Sequence, residues 1–78
     1  MSKLLVTGGS GFIGTNLIEH LSKDTQYEIQ NIDIVKPKIS AQDKYWVQVD
    51  LRNHDAVVAA VEAFAPDYVI HLGARTDL

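Results

Sequence analysis

Four of the five glycines in this 78-residue sequence crowd into one stretch, Thr7-Gly8-Gly9-Ser10-Gly11-Phe12-Ile13-Gly14. The stretch separates two patterns of different period. Before it, Lys3 to Thr7 is a near-continuous apolar run, as in a strand buried on both faces. After it, residues 12–22 follow a helical period, with Ile13, Leu17 and Leu21 spaced by four and Ile18 alongside. A glycine turn directly between a strand and a helix has a specific physical use. One glycine lets the chain reverse sharply, and another, lacking Cβ, lets a phosphate approach the backbone. Gly14 lets the helix pack closely. The amides at the helix start then face an anion, with the helix dipole favouring negative charge. The glycines can be phased as Gly9-x-Gly11-x-x-Gly14 or as Gly8-x-x-Gly11-x-x-Gly14. A tight turn without a ligand is the competing reading; the strand-to-helix context favours a phosphate cradle.

The remaining chain alternates in the same way. Tyr27 to Asp33 reads as a second, more polar strand, and residues 34–45 as an irregular connection around Pro37. Trp46 to Val49 is a short third strand. Asn53 is placed to cap a helix over 54–65, with Asp55 in its first turn. Val57, Val61 and Phe64 mark that helix's apolar face, and Pro66 stops it. Tyr68 to Leu72 reads as a fourth strand. The alternation implies an α/β, Rossmann-like fold with a parallel sheet. Right-handed crossovers give the strand order 3-2-1-4, with one helix on each face. A ligand crevice then opens where the order reverses, between strands 1 and 4.

Composition removes several functions. Ten acidic against seven basic residues leave a net charge of −3. That disfavours binding to nucleic acid or to an anionic membrane surface. Without cysteine there is no disulfide, zinc-thiolate site or thiol nucleophile. No His and carboxylate spacing suggests a metal site. Leu4-Leu5-Val6 is too short for a signal-peptide core or a membrane span, so a cytoplasmic location is expected. A chain this short buries only about 60% of its unfolded surface. It therefore reads as a compact binding module or as part of a larger protein.

Asp33 ends the second strand nineteen residues after Gly14. An acidic residue about twenty residues beyond such a turn accepts hydrogen bonds from an adenosine ribose. Its charge would repel a 2′-phosphate, which favours NAD over NADP. Alone, Asp33 reads equally well as a solvated aspartate at a loop edge. Lys36 or Lys38 could reach a phosphate, although solvated loop lysines are the plainer reading.

Thr7-Gly8-Gly9-Ser10-Gly11-Phe12-Ile13-Gly14 resembles the opening of the extended short-chain dehydrogenase/reductase family, in particular its NAD-dependent nucleotide-sugar epimerases and dehydratases. Asp50-Leu51-Arg52 resembles the family element whose Asp side chain and following backbone amide hold the adenine edge. His71-Leu72-Gly73-Ala74 resembles its His-x-Ala-Ala stretch, with Gly73 in place of alanine. The resemblance spans nearly the whole chain and implies a site for NAD. That site comprises Gly8, Gly11, Phe12, Ile13, Gly14, Asp33, Asp50, Leu51, Leu72, Gly73 and Ala74. It also implies a nucleotide-sugar substrate and a homo-oligomer. Arg75 and Thr76 fall where relatives place varied polar groups.

The family's Tyr-x-x-x-Lys pair cannot be placed, because Asn31, Val49 and Leu72 follow the three tyrosines at that spacing. The chain therefore reads as the N-terminal part, residues 1–78, of a dinucleotide-binding domain, without catalytic residues and inactive alone. The alternatives are a dinucleotide sensor of the same fold and an NADPH-dependent reductase. His20 and His54 read as surface residues, and Tyr45, Trp46 and Tyr68 as strand packing.

Overall fold

The central strand owes its position to Leu4, Leu5 and Val6, apolar residues that need cover on both faces. The computed structural model describes residues 1–72 and places that segment, β1 (Ser2–Thr7), inside a four-stranded parallel sheet. Its partners are β2 (Tyr27–Asp33) and β4 (Tyr68–His71), with β3 (Trp46–Gln48) beyond β2. The order is β3-β2-β1-β4, as the crossover rule requires. Register runs from Ser2 opposite Tyr27 to Thr7 opposite Ile32 on one side, and from Leu4 opposite Tyr68 to Thr7 opposite His71 on the other.

Strand alternation sorts the core into two layers. Val6, Ile18 and Ile29 pack beneath α1 (Phe12–Leu21), joined by Leu21, Tyr27 and Tyr45. Leu5, Ile32, Val49 and Phe64 pack beneath α2 (His54–Phe64), joined by Val57, Ala60 and Val61. Leu5, Val6, Ile18 and Ile32 lose all solvent contact. Each such side chain contributes about 1.5–3 kcal/mol of burial free energy. The helix over 54–65 ends one residue early. Ala65 turns into the left-handed region at φ 51° and its N–H bonds to Val61 O at 2.8 Å before Pro66. Asn53 caps the start, its side chain accepting from Ala56 N at 3.2 Å.

Two expectations about side chains change. Ile13 is not on the core stripe: it is 68% exposed, because the face that α1 turns inward carries Gly14, Thr15 and Ile18. Tyr68 is not buried by strand packing but is 61% exposed, since β4 has no outer neighbour among the described residues. The connection over 34–45 contains a 3₁₀ helix, Ser40–Tyr45. Gln42 pins it by donating from Nε2 to Thr15 O at 3.0 Å while buried.

Candidate functional site

The glycine turn lies at the C-terminal end of the sheet, and the structure separates the duties of its four glycines. Gly8 reverses the chain at φ 71°, a conformation that side chains with Cβ rarely adopt. Gly9 lies against β2 and α1: a Cβ there would meet Asn31 Oδ1 at 2.5 Å and Ile18 Cδ1 at 2.9 Å. Gly14 touches the turn, since its Cβ would lie 2.5 Å from Gly9 Cα. It therefore lets α1 close on Gly9 rather than directly on the sheet. Gly11 is different. Its Cβ would find only Gly8 O, at 3.7 Å, so nothing in the protein requires a glycine there. Both phasings of the motif are accordingly correct in part, Gly8 serving the turn and Gly9 the packing.

Gly11 is also the N-cap of α1, with extended backbone and no side-chain cap bond. No acidic residue occupies the first turn. Helix-start amides and the positive dipole end are thus open to an anion. Gly8, Gly11, Phe12, Ile13, Gly14 and Leu72 line a cleft of about 270 Å³ in front of them. Six of the expected site residues are therefore brought together. Phe12, 77% exposed, joins Ile13 in giving the cleft an apolar lip. Leu72 continues from β4, its N–H bonded to Thr7 O at 2.9 Å. Thr7 Oγ1 and His71 Nδ1 share a hydrogen bond that ties the ends of β1 and β4.

Asp33 is half-buried at the end of β2. Its Oδ2 accepts from Ser10 N at 3.1 Å, and its Oδ1 accepts from Val35 N at 3.0 Å. The carboxylate is thus aimed at the glycine turn, and its backbone oxygen is held by Trp46 Nε1 at 2.8 Å. Trp46 therefore does more than pack: it fixes the residue carrying the site's charge. Lys36 pairs loosely with Asp43 at 3.9 Å rather than with Asp33.

Asp50 and Leu51 follow β3. Leu51 turns its side chain into the α2 layer of the core. Both Asp50 oxygens face Arg52: Oδ1 accepts from its backbone N at 2.9 Å and from Nε at 3.1 Å, and Oδ2 accepts from Nη2 at 3.1 Å. These bonds, then the guanidinium charge, hold the Asp50 carboxyl below its ordinary value, and the same pairing raises Arg52. Gly73 and Ala74 lie outside the described residues, as do Arg75 and Thr76. His20 and His54 are exposed. Among the described residues no cluster of three or more His, Asp or Glu could hold a metal ion. No helix there is long and apolar enough to cross a membrane.

Motif reading missed Asn31. It is completely buried, accepts from Gly9 N at 2.8 Å and donates to Ser10 Oγ at 3.1 Å. The available signal was its parity: Asn31 shares a strand face with Ile29, where alternation calls for an apolar residue.

A model of the NAD dependent epimerase/dehydratase family matches residues 4–78. Among curated proteins, a probable dTDP-glucose 4,6-dehydratase from Sinorhizobium fredii is 35% identical over 83 residues, covering 95% of this chain and 23% of that protein. The dTDP-glucose 4,6-dehydratase of Bacillus anthracis, solved in complex with NAD, superposes with a TM-score of 0.82 at 21% identity, over 97% of this chain and 28% of that one. The UDP-glucose 4-epimerase of Thermus thermophilus, solved in complex with NAD, superposes with a TM-score of 0.77 at 32% identity, over 94% of this chain and 24% of that one. The chain thus spans about a quarter of the length of proteins it matches.

Proposed function

The chain belongs to the NAD-dependent epimerase/dehydratase family, and on that premise we propose that it forms the adenosine and pyrophosphate half of the NAD site of an oxidoreductase acting on a nucleotide-linked sugar. The observation that carries this reading is the space at Gly11: a glycine with no neighbour to demand it, at an uncapped helix start, facing the cleft. A turn kept only for packing would have no use for it. An approaching diphosphate would. The residues therefore fit the cofactor.

In this reading the amides of Phe12, Ile13 and Gly14 bind the diphosphate. Asp33, already aimed at the same turn by Ser10 and Val35, receives the ribose hydroxyls. Asp50 and the Leu51 amide flank the adenine, with Arg52 holding the carboxylate ionised for a base amine. Leu72 faces the nicotinamide side of the cleft, and the resemblance assigns Gly73 and Ala74 to the same cofactor. When bound, NAD accepts hydride from a sugar carbon. No tyrosine among residues 1–78 has a lysine four positions on, so these residues alone have no turnover. They are the N-terminal part of one dinucleotide-binding domain. The whole protein is homo-oligomeric and cytoplasmic, and its substrate carries a nucleoside diphosphate.

The test is cofactor choice in the complete protein. NAD binds more tightly than NADP, and Asp33→Ala narrows the difference. Equal affinity of the unsubstituted protein for the two cofactors would remove Asp33 from the ribose site.

A further inference from the structure

Asn31 does not belong on a core-facing strand position unless it performs a task there. Burial of an amide is tolerated only when its donors and acceptors are met. Gly9 N–H can only donate, so the Asn31 oxygen must face it. That choice turns the Asn31 amino group toward Ser10 Oγ. Ser10, 1% exposed, in turn gives its N–H to Asp33. Gly9, Asn31, Ser10 and Asp33 therefore form one continuous hydrogen-bonded series beneath the turn. The series also explains why position 9 must be glycine, since a Cβ would collide with the Asn31 amide.

From this geometry we propose that Asn31 is a positioning residue for the phosphate cradle. It fixes Gly9 and Ser10 from below, and thereby sets the direction of the helix-start amides, while Asp33 keeps its own bonds from Ser10 N and Val35 N. An amide suits this position because it meets both neighbours without adding negative charge under a bound diphosphate; a carboxylate would oppose the anion. The proposal rests on the reading of the turn as a dinucleotide site.

A residue that merely stabilises the fold would affect all parts of the ligand alike. A cradle-positioning residue affects the phosphates selectively, so the test compares ADP with adenosine by chemical-shift titration of the complete protein. In Asn31→Leu, ADP affinity falls about tenfold, the scale of a buried donor left unsatisfied, while adenosine affinity changes less than about twofold. Ser10→Ala keeps the Gly9 and Asp33 bonds but removes the Asn31 partner, and weakens ADP selectively by about threefold. If Asn31→Leu does not fold, the Ser10→Ala ratio decides. Equal losses for ADP and adenosine, or no loss for ADP, would overturn the role of Asn31. If the unsubstituted protein binds neither ligand, the cofactor reading itself is wrong and the proposal goes with it; that failure is visible before any variant is measured.

Discussion

Replacing Gly14 by alanine separates the architectural use of a glycine from its ligand-binding use. The added Cβ would lie 2.5 Å from Gly9 Cα and 2.6 Å from Gly9 C and O, where ordinary contact begins at 3.4 Å. The obstructing atoms are all backbone, so no rotamer change relieves them. The helix start and the turn must part by about 1 Å. Overpacking of this kind costs about 1–3 kcal/mol, against which alanine's helix preference returns at most about 1 kcal/mol. A net loss of about 1–2 kcal/mol lowers the melting temperature of a chain this long by about 5–15 °C. Gly11→Ala is the matched control. Its φ of −77° suits alanine, and its Cβ has 3.7 Å of room. Stability should stay within about 1 kcal/mol, the balance of a stiffer unfolded chain against a poorer N-cap. NAD affinity should nevertheless drop at least about tenfold, the equivalent of about 1.4 kcal/mol, because the methyl enters the cleft. Circular dichroism melts and NAD titrations of both variants read the two effects. A Gly14→Ala protein that melts at or above the wild-type temperature, or a Gly11→Ala protein that binds NAD normally, would refute the assignment.

Ala65→Gly should stabilise the protein by about 0.5–1 kcal/mol in denaturant titration, because Ala65 holds a left-handed helix-terminal conformation that glycine adopts more readily. Asp50 should titrate below 3.8 by carboxyl NMR, and Arg52→Ala should raise it toward that value. Because the folded value is the depressed one, the pair's stabilisation is present above the unfolded value and fades as pH falls through the folded value; at this exposed site the effect on melting is small. The isolated 78-residue chain should self-associate in a light-scattering concentration series. Tyr68 and Val69 are 61% and 53% exposed on an edge strand, and Leu4, Leu17, Leu21 and Ile70 line an apolar groove of about 540 Å³ beside it. A monomer that persists at high concentration would show that this face needs no partner.

Local chemistry along the chain is enough to place most of the candidate site. A strand that must be covered on both faces, a glycine run and a helical period define the turn without knowledge of any neighbour. Handedness of the crossovers then orders the strands, and the distance from Gly14 to Asp33 follows from the length of one helix and one strand. What each glycine does is another matter, because Gly8, Gly9, Gly11 and Gly14 look alike in sequence and differ only in what surrounds them: a positive φ, an asparagine amide, an open cleft and a neighbouring backbone. The same holds for Asn31, Gln42 and Trp46. Their partners lie 13 to 27 residues away. A hydrogen bond between such distant residues exists only once the sheet has brought both ends together. Ile13 shows the reverse error: helical spacing identified a stripe, but the close contact of Gly14 with Gly9 turns Gly14, Thr15 and Ile18 inward and leaves Ile13 outside.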